Sequence, residues 1–184
     1  MKELINTGTC ALNWNRQTEK KEKTIVICGL PRSGTSMVAM LLKNVGIFLG
    51  DIIDNAVFED IEMAKLLTDN DGKLEAFIQK RNAKHKAWGW KQPNAYLYNK
   101  KFIDKIRNPH FIILFRDYTS IAMRRSISAR SDFSDNLQKI HQEYGALLQF
   151  ISTCEAPVLV ISYEKAITQK MKVIKSIFGL IDKN

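Results

Sequence analysis

Gly29-Leu30-Pro31-Arg32-Ser33-Gly34-Thr35-Ser36 carries the frame of a phosphate-binding loop, two glycines five residues apart followed by Lys and Ser/Thr, with threonine standing in the lysine position. Immediately before it, Thr24-Ile25-Val26-Ile27-Cys28 is an apolar, β-branched run that reads as a buried strand. Immediately after it, Met37, Met40, Leu41 and Val45 recur at helical spacing. A strand, a glycine turn and a helix start in that order aim several backbone N–H groups and a helix N-terminus at one point. The expected occupant is a phosphate-type anion.

The missing lysine restricts which anion. In nucleoside triphosphatases and kinases of this loop type, lysine reaches the terminal phosphates, and a strand-end aspartate helps hold Mg²⁺. Thr35 cannot supply that ammonium, and the runs Phe111–Phe115 and Val158–Ile161 end in Arg116 and Ser162, with Asp117 one residue late. Arg32 puts a cation inside the turn, which suits a short anion better than a chain of three phosphates.

The chain has 184 residues, 45% of them hydrophobic, enough for one domain with a single core. Lys and Arg total 28 against 19 Asp and Glu, a formal charge of +9 that suits an anionic ligand. No run approaches the roughly 18 apolar residues of a membrane span, and the first 23 residues hold no signal-peptide core, so a cytoplasmic protein is expected. Cys10, Cys28 and Cys154 are odd in number and far apart, which supports neither a disulfide framework nor a zinc site.

Residues 1–23 are polar and unpatterned and read as a flexible N-terminal arm, with residues 24–184 forming the domain. Strands are expected at 24–28, 87–91, 111–115 and 158–161, and helices near 35–46, 57–80, 94–107, 118–130, 135–153 and 163–178, with breaks at residues such as Gly72 and Pro93. This alternation predicts an α/β P-loop fold in three layers: a central parallel sheet of about four to five strands with helices on both faces. Ligands of such sheets bind beyond the carboxyl ends of the strands. Arg32, Lys91, Arg116 and Ser162 or Tyr163 each fall at or just past such an end.

Several segments then bear a family resemblance. Leu30-Pro31-Arg32-Ser33-Gly34-Thr35-Ser36 resembles the 5′-phosphosulfate loop of sulfotransferases, which reads Pro-Lys-Ser-Gly-Thr-Thr or Pro-Arg-Ser-Gly-Thr-Thr. Asn55–Asp60, Trp90-Lys91-Gln92-Pro93, Phe111–Asp117 and Ser162-Tyr163-Glu164-Lys165 are similar to further segments of small bacterial members, in the same order, so the resemblance spans residues 24–181. It implies 3′-phosphoadenosine 5′-phosphosulfate (PAPS) as donor, 3′,5′-adenosine bisphosphate as product, and metal-independent, in-line transfer of a sulfuryl group to an acceptor hydroxyl or amine. The acceptor expected is a small molecule or carbohydrate, acidic ones included, with no nucleic-acid partner.

By the same resemblance Arg32, Ser33, Gly34, Thr35 and Ser36 hold the 5′-phosphosulfate, Arg116 holds the 3′-phosphate, and Tyr163 touches the adenine. Lys91 and Arg32 neutralise charge on the bridging oxygen as its bond to sulfur breaks. Relatives place a serine eight residues after the arginine, where this chain has Arg124. A two-residue expansion of the Asp117–Ser120 loop would bring Ser126 into that place; without it Arg124 is the second ligand. Animal cytosolic relatives carry a base histidine two residues after the lysine; here that residue is Pro93, which leaves Glu59 as candidate base and Asp60 second.

Two other readings compete. One is a P-loop kinase of a nucleoside or small metabolite, opposed by Thr35. The other is a non-enzymatic basic nucleic-acid-binding module resting on Lys80–Lys86 and Arg124-Arg125, a stretch without the interleaved aromatics such surfaces use.

Overall fold

Strand β2 (Lys23–Gly29) is buried along its whole length, and the chain is assembled around it. The computed structural model describes residues 6–14, 22–51, 53–54, 57–69 and 72–181. On one side β2 pairs in parallel with β5 (Ala87–Lys91), on the other with β6 (Pro109–Phe115), which in turn pairs in parallel with β7 (Val158–Ser162). A fifth strand, β1 (Thr9–Leu12), runs antiparallel along β7 and closes the edge, giving the order β1-β7-β6-β2-β5. Two residues on each side, β3 (Ile53–Asp54) and β4 (Glu59–Asp60), form a separate small hairpin.

The β-strand period sorts the core into two layers. Val26 and Cys28 of β2, with Trp88, Trp90, Phe111 and Ile113, pack on one face. Their cover is α2 (Ile61–Thr68), α3 (Lys73–Lys84), α5 (Tyr118–Ala129) and α6 (Phe133–Thr153). Ile25 and Ile27 face the other way with Ile112, Leu114, Leu159 and Ile161, against α1 (Thr35–Asn44), α7 (Tyr163–Thr168) and α8 (Lys170–Leu180). Fully burying one such side chain contributes about 1.5–3 kcal/mol. Between β5 and β6 the chain makes one turn of 3₁₀ helix (Ala95–Tyr98) and the short α4 (Asn99–Phe102).

The predicted three-layer α/β fold with a mainly parallel sheet is the fold observed. Differences lie at the boundaries. The helix expected over 57–80 is two, and the second starts at Lys73, directly after its N-cap Gly72, which takes φ 74°. The helix expected near 94–107 is only the 3₁₀ turn and α4. The segment read as an arm contains β1, an edge strand of four residues, too short to show a period. Asn13 fastens that segment further, its Nδ2 donating to the Cys154 carbonyl at 2.7 Å. Residues 1–5 and 15–21, also assigned to the arm, lie outside the described residues. No described helix is long and apolar enough to cross a membrane.

Register decides where the site forms. Ile27 is level with Lys91, Gly29 with Leu114 and Phe115 with Ser162, so four parallel strands end together on one edge of the sheet. At Gly89 the strands approach so closely that a Cβ would lie 2.2 Å from the Ile25 carbonyl oxygen. Because that neighbour is backbone of the central strand, Gly89→Ala is expected to destabilise the fold by about 1–3 kcal/mol. Urea denaturation checks this; an unchanged midpoint would show that the β2–β5 pairing is slack.

Candidate active site

Beyond the common strand ends lies a cavity of about 320 Å³. The turn after β2 forms its floor. Arg32 adopts φ 75° and Gly34 φ 97°, both in the left-handed region that non-glycine residues rarely enter. Gly34 N-caps α1, and a Cβ there would sit 2.3 Å from the Tyr163 ring, so glycine is needed for the aromatic ring and the loop to meet. The unfavourable conformation of Arg32 is held in place by Arg116, whose Nη1 donates to the Arg32 carbonyl at 2.9 Å. Thr35 and Ser36 line the cavity beside Arg32 and Gly34. Ser36 Oγ donates to the Val57 carbonyl at 3.0 Å, which ties α1 to the β3–β4 hairpin. Ser33 differs: it is fully buried beneath the turn and its hydroxyl does not line the cavity.

On the β5 side stands Lys91, only 3% exposed, with its Nζ donating to Glu59 Oε1 at 2.7 Å. Burial pushes the Lys91 ammonium below the ordinary lysine range, and the neighbouring Glu59 carboxylate opposes that shift in part. Glu59 keeps an exposed portion and lines the cavity. Successive strand residues point to opposite faces, so Asp60 turns away. Its Oδ1 accepts the Met63 N–H at 3.1 Å as N-cap of α2, and its other oxygen pairs with Arg81 in the core. Arg81 is 4% exposed and lies over the Phe77 ring at 4.1 Å. Of the two carboxylates read as base candidates, only Glu59 faces the cavity.

Past β6, Arg116 and Arg124 complete the lining. Helix α5 begins at Tyr118, directly after Asp117, whose Oδ1 caps it by accepting the Ser120 N–H at 2.8 Å. The loop is therefore not expanded, and Arg124, eight residues after Arg116, reaches the cavity. Ser126, the residue the expansion would have delivered, faces α6 instead and accepts a hydrogen bond from Asn136 Nδ2 at 2.9 Å. Ser128, one turn beyond Arg124, accepts from Arg32 Nη2 at 3.4 Å; the i, i+4 spacing from Arg124 was the signal for it. Tyr163 does not line the cavity but lies half-buried against it, with the Arg116 guanidinium 4.4 Å from its ring centroid.

The basic segments also change character in three dimensions. Leu74, Ile78 and Arg81 form the buried stripe of α3, so Arg81 belongs to the core and not to a solvated basic face. Arg125 is engaged in a two-point pair with Glu143, at 3.0 and 2.6 Å.

The buried polar atoms without a partner among the described residues include Arg116 Nε, Ser33 Oγ and Gln92 Oε1. With Arg32, Lys91 and Arg124 added, the donors outnumber the acceptors heavily. The arrangement can hold an anion with more than one charged group, since the turn, Lys91, Arg116 and Arg124 share one lining.

Asp60 generates the first prediction about this site. Asp60→Asn retains a cap acceptor but leaves the Arg81 charge buried and unpaired, which should cost about 3–5 kcal/mol of stability. A denaturation midpoint within experimental error of the parent protein would show that the pair does not fasten the hairpin carrying Glu59.

At the level of sequence, no family profile and no curated protein matches the chain. Solved structures do. The sulfotransferase domain of the Synechococcus PCC 7002 olefin synthase superposes with a TM-score of 0.64 at 13% identity, covering 91% of this chain and 76% of that one. The sulfotransferase from Alicyclobacillus acidocaldarius gives 0.58 at 15% identity, over 87% and 81%. The YorR protein from Bacillus subtilis, solved in complex with phosphorylated GDP, gives 0.52 at 18% identity, over 86% and 95%. The chain has a sulfotransferase-like fold.

Proposed function

We propose that this protein is a sulfotransferase that uses PAPS and transfers its sulfuryl group to a hydroxyl or amine of a small acceptor. The observation that carries the reading is that a lysine-free, arginine-bearing anion loop shares one cavity lining with two further arginines, Arg116 and Arg124. The sulfotransferase structures that share the fold add support. The cation-rich lining fits a nucleotide carrying a 3′-phosphate and a 5′-phosphosulfate.

In this reading the turn amides, with Arg32, Thr35 and Ser36, hold the 5′-phosphosulfate. Arg116 and Arg124 hold the 3′-phosphate, and Tyr163, beneath Arg116, borders the adenine. Bound there, PAPS supplies an activated sulfuryl group whose bond to the 5′-phosphate oxygen would break as the acceptor oxygen or nitrogen bonds to sulfur. Lys91 and Arg32 stabilise the negative charge left on that phosphate oxygen. Glu59 accepts the proton released by the acceptor, which its exposed portion allows it to reach. No step requires the lysine that Thr35 replaces.

The kinase reading draws on the likeness to the YorR protein, solved with phosphorylated GDP. Thr35 stands against it, since a triphosphate tail would lack its ammonium ligand. The nucleic-acid reading is weakened by Arg81 and Arg125, two of its cations, being engaged internally. Thermal shift separates the three. Adenosine 3′,5′-bisphosphate without Mg²⁺, at about a hundred times its Kd, should add ~2.7 kcal/mol. Stabilisation only by Mg²⁺ and ATP would instead support the kinase, and by oligonucleotides the binding module.

Two further outcomes test the roles. Lys91→Ala should lower labelled-sulfate transfer at least about 100-fold while bisphosphate binding persists; retained turnover refutes the assignment. Lys91 must be charged to act, and it loses its proton as pH rises through a pKa held below 10.5 by burial. The alkaline limb of the kcat profile is therefore expected below that pH, and its loss in Lys91→Arg would identify the group.

A further inference from the structure

The guanidinium of Arg116 performs several tasks at once, and each depends on where its backbone lies. It donates to the Arg32 carbonyl, lies over Tyr163 and leaves Nε without a partner among the described residues. Arg116 is nevertheless at the point where β6 ends, outside the sheet's ladder. What holds it is the hydroxyl of Tyr144, from the middle of α6. Tyr144 Oη accepts the Arg116 N–H at 2.9 Å and donates to the carbonyl of the same residue at 2.6 Å. Both peptide groups of one residue are thus satisfied by one side chain. The ring is 3% exposed and stacks on Phe115, centroids 5.1 Å apart and planes 5° apart, so the hydroxyl has little freedom to leave. Burial also pushes its pKa up to about 12, which keeps the proton it donates. The next peptide is held from another element, Asp117 N–H donating to Glu164 Oε1 at 3.0 Å.

We propose that Tyr144 is a positioning residue for the nucleotide's 3′-phosphate, because its hydroxyl clamps the Arg116 backbone and so directs the guanidinium into the cavity. The proposal rests on the donor reading above. It assigns Tyr144 no contact with the nucleotide.

Phenylalanine at 144 keeps the stacked ring and removes only the clamp. Calorimetry with adenosine 3′,5′-bisphosphate and adenosine 5′-monophosphate isolates the 3′ end. The parent protein should prefer the bisphosphate. Tyr144→Phe should weaken bisphosphate binding roughly tenfold, the worth of one to two hydrogen bonds, and leave the monophosphate within twofold. Tyr96→Phe is the control: Tyr96 is equally buried, and its hydroxyl contacts the Glu143 carbonyl at 3.4 Å, away from the cavity. It should leave both affinities alone. An unchanged preference in Tyr144→Phe, or equal loss of both nucleotides, overturns the positioning role while the donor reading stands. A parent protein with no preference for the bisphosphate overturns the donor reading and the clamp's purpose together. Should Tyr144→Phe not fold, 4-aminophenylalanine at the position, a weaker donor and acceptor in the same place, must show the same selective loss in smaller measure; an unaltered ratio there is equally decisive against the role.

Discussion

Charge crowding at the strand ends is the constraint on which the site depends. Arg32, Lys91, Arg116 and Arg124 converge on one cavity, and among the described residues Glu59 is the one acidic side chain in its lining. Two unit charges roughly 6 Å apart interact by about 3 kcal/mol at an effective dielectric near 20. A cluster of this kind is tolerable in a folded protein when its members are braced separately and a counter-anion can enter. The bracing is visible. Arg116 is tied to the loop carbonyl, Lys91 to Glu59 and Arg32 to Ser128, each through a different element.

The sheet makes that convergence unavoidable. Once β2, β5, β6 and β7 are parallel and in the observed register, the residues that follow their last paired positions must share one rim. The caps reinforce the geometry, because Asp117 and Ser162 turn the chain into helices directly after β6 and β7. Neither loop has length to spare. This is why a two-residue difference in where a helix starts decides which side chain arrives at the cavity.

How much could be read in advance follows from the same facts. β2, β5, β6 and β7 were legible because parallel, doubly covered strands are short, nearly continuous apolar runs, and the loop because glycine and proline punctuate it. Arg32, Lys91 and Arg116 followed from strand ends alone. Strand β1 was not legible, since four edge residues carry no period. The choice between Arg124 and Ser126 turned on a helix boundary, the least readable feature of a sequence. Glu59 and Asp60 were separated only by which face of a two-residue strand each takes. Arg81 read as surface because it sits among lysines, and its burial comes from a stripe with Leu74 and Ile78 and from the rings of Phe77 on the same helix and of Phe48 and Trp88. Tyr144 carried no signal in the sequence, because an aromatic on a long amphipathic helix is ordinarily core packing.

The contact between Gly34 and the Tyr163 ring has a wider consequence. With the ring standing where a side chain at 34 would begin, the anion loop and the first turn of α7 are wedged together before any ligand arrives. Little ordering is left to be done at the moment of association. The two ends of a long nucleotide would meet a mould already set, so that the entropy of shaping it is spent during folding and not during recognition.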